Sequence, residues 1–351
     1  MKIQADAQEL KRTIDRAVEY TFGMDLTWDW PGGVAFYGVS RAFEATGEKA
    51  YLEKMAAWVD EYLEAGLSGW TVNTCAMGHM LLTLYEQTKD PKYLELIDSK
   101  IDYLEHKALR FGDRVLQHTV SANNDFPEQC WADTLFMAAY FMLRVGVAKG
   151  EKRLVDDALH QFLWHINYLQ DENTGLWYHG YNHLKKDHMS GIYWARANAW
   201  AAYTMSRAAK GLPEGYLYPP MMHIWSSLRD QLAAIKRLQK EDGLWGTVLD
   251  YPEAYGEVSA TAGIAAAMVT QGNPLHSKHV QKALDGVLAN IAANGRVMNV
   301  SGGTAVMNDI EGYLGIDRKW AQGWGQGLAL ALLAAVLETV EANGRNQATP
   351  D

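Results

Sequence analysis

The residues best able to do chemistry lie in Phe126-Pro-Glu-Gln-Cys-Trp-Ala-Asp-Thr-Leu-Phe-Met-Ala-Ala-Tyr-Phe141, a proline-containing loop that becomes an almost unbroken apolar helix from Trp131 onwards. Asp133 falls in what should be the first turn of that helix. A carboxylate costs little there as local structure, because a helix N-terminus favours negative charge and Asp is a common cap. It costs much more if the helix lines a barrel interior, where a charge must be accommodated without bulk water. Capping and proton transfer are both open to Asp133 on the local sequence alone.

Other short motifs carry rings, imidazoles and one guanidinium: Trp28-Asp-Trp-Pro-Gly-Gly33, Thr71-Val-Asn-Thr74, Trp177-Tyr-His-Gly180, Trp194-Ala-Arg-Ala-Asn-Ala-Trp200 and Trp320-Ala-Gln-Gly-Trp324. With His79, His118, His183 and His188 they supply the candidate site residues, among them Asp29, Trp30, Asn73, His179, Trp194, Arg196, Asn198, Trp200, Trp320 and Trp324. The loop 177–188 holds three histidines, and loops set on a rigid scaffold often carry function. Arg196 lies in a helical first turn, where the dipole disfavours a cation, so it needs an anionic partner. That partner is either a carboxylate of a neighbouring helix or the planar carboxylate of an acidic sugar, which suits a guanidinium fork.

Several chemistries lack their signatures. There is no His-Glu-x-x-His helix and no cysteine joins the histidines, so no metal is expected. No glycine-rich dinucleotide turn follows a strand, and no Gly-x-Ser-x-Gly elbow occurs, so neither a nicotinamide cofactor nor a serine nucleophile is expected. A net charge of −10 disfavours nucleic acid as a partner. Thirteen Trp and eighteen Tyr are many, and aromatic faces lining a groove commonly hold sugar rings. Cys75 and Cys130 read as buried free thiols. The N-terminus lacks the apolar core of a signal peptide, and no apolar run looks long enough to span a membrane, so a cytoplasmic enzyme is expected.

The elements that would position these residues follow a repeat. Taking Trp28, Asn73, Asp133, Trp194, Ser259 and Trp324 as markers, each motif opens an apolar helix that a more polar helix follows. Quasi-regular spacing with alternating apolar and polar helices is the mark of a repeat architecture. Six such units predict an all-α, single-domain (α/α)6 barrel over residues 1–345, with 346–351 as a flexible tail. A leading amphipathic helix at 4–21 would supply the sixth outer partner. Short extended stretches are expected near 175–180 and 243–248. Every marker then sits on one rim.

At this point the chain resembles the unsaturated uronyl hydrolases of glycoside hydrolase families 88 and 105, most nearly the unsaturated rhamnogalacturonyl hydrolases of family 105. The likeness runs from Trp28 to about Leu333. It rests on Gln129-x-Trp-x-Asp133, on Tyr178-His-Gly180 and on Trp194-x-Arg-x-x-x-Trp200. The resemblance implies a six-hairpin α/α barrel, Asp133 as the catalytic acid, and substrate contacts from His179, Trp194 and Arg196. Trp30, Asn73, Trp200 and Trp324 join them as candidate substrate-binding residues. One departure is Asn73, where many relatives carry a second Asp. An amide can bond a sugar hydroxyl or a water but cannot share a proton with Asp133.

The reaction so implied acts on a lyase-generated oligosaccharide ending in a 4,5-unsaturated uronic acid, here galacturonate linked to rhamnose. Protonation and hydration of the vinyl ether require one acid rather than a carboxylate pair. Asp133 must begin protonated, and an apolar, Trp-lined surround is expected to raise its pKa. Two other readings of the residues stand beside this one: a barrel-type sugar epimerase working through histidines, and a non-catalytic acidic-sugar-binding protein.

Overall fold

A computed structural model describes the chain apart from residues 68, 121, 122, 124, 125 and 349–351 and the side chains of 346–348. In chain order the helices are α1 (Ala7–Phe22), α2 (Trp30–Thr46), α3 (Lys49–Ala65), α4 (Gly78–Thr88) and α5 (Pro91–His106). There follow α6 (Tyr140–Lys149), α7 (Lys152–Leu169), α8 (Ala195–Gly211), α9 (Met221–Lys236), α10 (Val258–Gln271), α11 (Ser277–Leu288), α12 (Ile310–Leu314) and α13 (Gly323–Ala348). Helices α2, α4, α6, α8, α10 and α13 each pack on the next, and α13 returns to α2. That is a closed inner ring. Helices α1, α3, α5, α7, α9 and α11 form the outer ring, α1 lying against α13 as its expected partner. The (α/α)6 barrel of the sequence reading is therefore the observed fold.

Composition explains which helices go inside. In α10, every residue from Val258 to Val269 is buried, and the sequence Val-Ser-Ala-Thr-Ala-Gly-Ile-Ala-Ala-Ala-Met-Val has no polar face to turn towards water. The outer helices have one apolar stripe; in α1 it is Leu10, Ile14, Ala17 and Val18. Small residues set how closely inner helices approach. At the α2–α13 crossing, a Cβ on Gly327 would lie 2.0 Å from the Val34 carbonyl oxygen, so the two backbones touch there.

Three details depart from expectation. The first helix starts at Ala7 behind an Asp6 cap, later than residue 4. The last helix continues to Ala348, into the stretch expected to be a flexible tail, while 349–351 lie outside the described residues. By length and composition, residues 323–345 are apolar enough to cross a membrane, contrary to the expectation for apolar runs, but 83% of that window is buried in the barrel. Its apolar character serves the inner ring.

Candidate active site

Short ladders on the rim fix the site. Strand β1 (Arg110–Phe111) pairs with β2 (Val115–Leu116), β3 (Gln129–Trp131) with β4 (Gly180–Asn182), and β5 (Trp245–Gly246) with β6 (Gly256–Glu257), all antiparallel. Of the two extended stretches expected, the first lies slightly later in the chain, at β4. The β3–β4 register sets Trp131 opposite Gly180, and the Ala132 N–H donates to the His179 carbonyl at 3.1 Å. A side chain at 180 would meet Trp131 Cδ1 at 3.0 Å, so glycine there permits the approach. Sequence-distant His179 thereby comes to lie beside Asp133.

Asp133 opens the third inner helix, which makes a π turn over Leu135–Ala139 before becoming α6. Its Oδ2 lies 3.4 Å from His179 Nε2, a contact rather than a formed hydrogen bond, and neither atom has another partner among the described residues. The Asp133 side chain is 15% exposed and that of His179 is not exposed at all. A buried carboxylate oxygen without a donor is unusual and calls for an explanation. Simple capping does not provide one. His179 Nδ1 meets the Tyr313 hydroxyl at 2.9 Å, and that hydroxyl accepts the Met307 N–H at 3.3 Å. In the tautomer whose Nδ1 accepts from the Tyr313 hydroxyl, the Nε2–H of His179 is turned towards Asp133.

The expected upward displacement of the Asp133 pKa is not found. Burial raises it, but His179, His118 and Arg196 together outweigh burial and hold the carboxyl below its ordinary value. His179 is held below its own ordinary value by burial, against the pull of Asp133. His118, stacked on Trp131 at 4.3 Å and touching Thr134 Oγ1 at 3.0 Å, is pushed down to about 4, chiefly by burial.

Asp133 and His118 face a cavity of about 210 Å3, and His179, a predicted substrate contact, stands behind Asp133 without lining it. Trp30, Trp131 and Trp194 give it aromatic walls, and Asn73, His118, Asp133 and Arg196 give it polar ones. Asp133 is the one carboxylate among the described lining residues. Trp131 is held by its indole N–H donating to Gln129 Oε1 at 2.9 Å, which gives the Gln-x-Trp spacing a physical purpose. Asn73 Oδ1 is buried and has no partner among the described residues. Trp324 stands behind Trp30, their rings stacked at 4.4 Å.

Arg196 differs most from its expected role. It is 2% exposed and sits over the rings of Trp194 at 4.4 Å and Trp324 at 5.3 Å. One terminal nitrogen donates to Ser301 Oγ at 2.7 Å and Ser301 O at 3.0 Å, with Glu257 Oε1 at 3.5 Å. The other donates to Gly302 O at 2.7 Å and Thr304 Oγ1 at 3.1 Å. No free fork remains for a substrate carboxylate. Glu257, fully buried, is the anionic partner; it also accepts the N–H groups of Ala260 at 2.6 Å and Ser301 at 2.9 Å. The pair thus builds the wall that residues 303–305 present to the cavity, and the N–H groups of 303, 304 and 305 have no acceptor among the described residues.

Several other candidates are structural. Trp200 is fully buried against Phe136 at 5.0 Å and does not line the cavity; six residues along α8 from Trp194, it points to a different face. Asp29 caps α2 by accepting the Trp30 N–H at 2.7 Å. His79 lies in the core, Nε2 bonded to the Phe136 carbonyl at 3.0 Å within the π turn. Asn198 pins Trp177 to α8 through both of its amide atoms. His183 and His188 pack around Tyr168, away from the cavity.

Residues 3–340 match the family described as Glycosyl Hydrolase Family 88. Over 335 residues the chain is 50% identical to an unsaturated rhamnogalacturonyl hydrolase of Bacillus subtilis, covering 95% of this chain and 96% of that one. A crystal structure of a possible family 105 member from Salmonella enterica superposes with a TM-score of 0.90 at 26% identity, covering 97% and 96% of the two chains. The unsaturated glucuronyl hydrolase of Bacillus sp. GL1 shares the fold, with a TM-score of 0.72 at 16% identity over 93% and 95%. With a match that spans nearly all of its barrel, the chain belongs to glycosyl hydrolase family 88.

Proposed function

We propose that this enzyme removes a terminal 4,5-unsaturated uronic acid from lyase-generated oligosaccharides, the uronic acid being galacturonate and the next sugar rhamnose. The observation that carries this reading is that Asp133 is the single carboxylate among the described residues of a small aromatic cavity, with an imidazole against it. Ordinary glycosidases flank the scissile bond with two carboxyl groups. A vinyl ether needs one. Its C4 takes a proton from Asp133, and the positive charge is shared between C5 and the ring oxygen. The Asp133 carboxylate then removes a proton from water as that water adds to C5. The resulting hemiketal opens and releases the aglycone from C1, consuming one water and the double bond.

Asp133 is anionic in the empty site by the direction of its pKa, so a proton must arrive with substrate. A bound uronate supplies the reason: its carboxylate and the loss of cavity water both favour the protonated acid. We place that carboxylate against the unpartnered N–H groups of 303–305, with Arg196 supplying positive charge from behind. Asn73 Oδ1 accepts a sugar hydroxyl, and Trp30 and Trp194 offer ring faces. Trp324 supports Trp30, and His179 acts on substrate through Asp133. Identity at 50% to a rhamnogalacturonyl hydrolase supports the sugar assignment.

The test is to incubate the protein with an unsaturated galacturonyl–rhamnose disaccharide and follow the ultraviolet absorbance of the C4=C5 bond. Loss of the signal with release of free rhamnose is expected. A sugar epimerase or a binding protein would leave the signal intact, and that result overturns the proposal.

A further inference from the structure

The end of the barrel remote from Asp133 encloses a second cavity, of about 330 Å3, where α2, α4, α6, α8 and α13 approach their C-termini. Its charged lining is Arg41, Arg144, Arg207 and Lys210 against Glu86 and Glu338. Two of the cations are matched. Arg41 pairs with Glu44 and, at 2.6 Å, with Glu338, while Lys210 lies 4.0 Å from Glu338. Among the described residues, Arg144 and Arg207 have no carboxylate within 4.0 Å.

Arg207 is the more exceptional of the two. Its Nε donates to the Tyr140 hydroxyl at 3.2 Å, and its two terminal nitrogens have no acceptor among the described residues. Arg144 directs three of its five N–H groups at uncharged atoms: His79 Nδ1 at 3.2 Å, the His79 carbonyl at 3.1 Å and Thr83 Oγ1 at 3.3 Å. Burial would raise the Tyr140 pKa, yet the Arg207 and Arg144 guanidiniums bring it below its ordinary value, a sign of the positive potential at this point. Cations near helix C-termini partly answer the helix dipoles, each worth about half a negative charge. That offsets part of the charge. It leaves the undirected donors of Arg207 unexplained, because they meet no carbonyl.

We propose that this cavity is a binding site for phosphate, free or as a small phosphate monoester, gripped by Arg207 and Arg144 with Lys210 at the mouth. Guanidinium forks match phosphate oxygens in pairs. Two unmatched cations call for more charge than one carboxylate carries, and a phosphate monoester carries about −1.5 to −2 at neutral pH. None of the groups placed in the hydrolytic reaction lines this cavity.

The test is calorimetric titration of the protein with inorganic phosphate, glucose 1-phosphate and acetate at one ionic strength. Saturable one-site binding of phosphate or of the monoester, with none for acetate, is expected. Tighter binding of glucose 1-phosphate identifies a monoester site, and equal or weaker binding identifies free phosphate. Arg207→Gln should weaken binding at least about tenfold, the loss of a charged hydrogen bond, while turnover of the unsaturated disaccharide is unchanged. No saturable binding of either phosphate, equal binding of acetate, or an undiminished affinity in Arg207→Gln overturns the proposal. If Arg207→Gln does not fold, Lys210→Gln at the exposed mouth replaces it, and wild-type affinity in that variant overturns the proposal equally.

Discussion

Replacing Glu257 by Gln separates the two roles that Arg196 can have. Both side chains are buried, at 0% and 2% exposure, and lie 3.5 Å apart. Removing one partner of a buried ion pair leaves the other charge uncompensated, typically at about 3–5 kcal/mol. Arg196 would keep Ser301, Gly302 and Thr304 as acceptors, which places Glu257→Gln near the lower bound, at about 3 kcal/mol. The amide oxygen of Gln can still accept the Ala260 N–H, so little of this loss comes from capping α10. Arg196→Met should cost a similar amount, because it strands the Glu257 charge. The double variant should cost at least about 1 kcal/mol less than the sum, since removing both ends leaves neither charge stranded. Urea denaturation followed by tryptophan fluorescence measures all three. If either single variant lost less than about 1 kcal/mol while its KM rose sharply, the guanidinium would be held for substrate and the scaffold account would be wrong.

His179→Phe keeps a ring against Trp194 but removes the nitrogen facing Asp133, so burial would be opposed only by His118 and Arg196 and the Asp133 pKa should rise. Protonated Asp133 is lost as pH rises, so the descending limb of the kcat/KM profile should move to higher pH; a limb that stays or moves down contradicts the assigned contact. Gly327→Ala forces a methyl group to 2.0 Å from the Val34 carbonyl and should destabilise the fold by about 1–3 kcal/mol in thermal unfolding. Trp30→Leu removes one stacking face and should raise KM about threefold to tenfold with kcat nearly unchanged, as steady-state kinetics would show.

The barrel was legible because its inner helices have no polar face and its six motifs recur at near-regular spacing. Asp133 stood out as an acid at the head of an otherwise apolar inner helix, but local sequence left capping and proton transfer both open, and the choice between them rested on the Gln-x-Trp-x-Asp resemblance. Arg196 was recognised as needing an anion, but its partner was not. Glu257 looked like an ordinary residue before a helix start, and its function depends on residues 301–304, far along the chain. Trp200 misled because a repeated Trp spacing resembles a site motif, whereas helical geometry turns the two rings to different faces. The histidine loop was over-read: of its three histidines only His179 lies against Asp133, brought there by a ladder that local sequence did not announce. The downward pull on Asp133 was likewise invisible, since it comes from His118, His179 and Arg196, which only the folded rim brings together.

The central claim is that Asp133 transfers the proton, and Asp133→Asn tests it most directly. Asn retains the size of the side chain and caps a helix about as well as Asp, but carries no transferable proton. The variant should fold with an unchanged denaturation midpoint and still bind the unsaturated disaccharide. Turnover, read as loss of the C4=C5 absorbance, should fall by at least about 10²–10⁴-fold. Near-normal turnover in a folded Asp133→Asn protein would contradict the account.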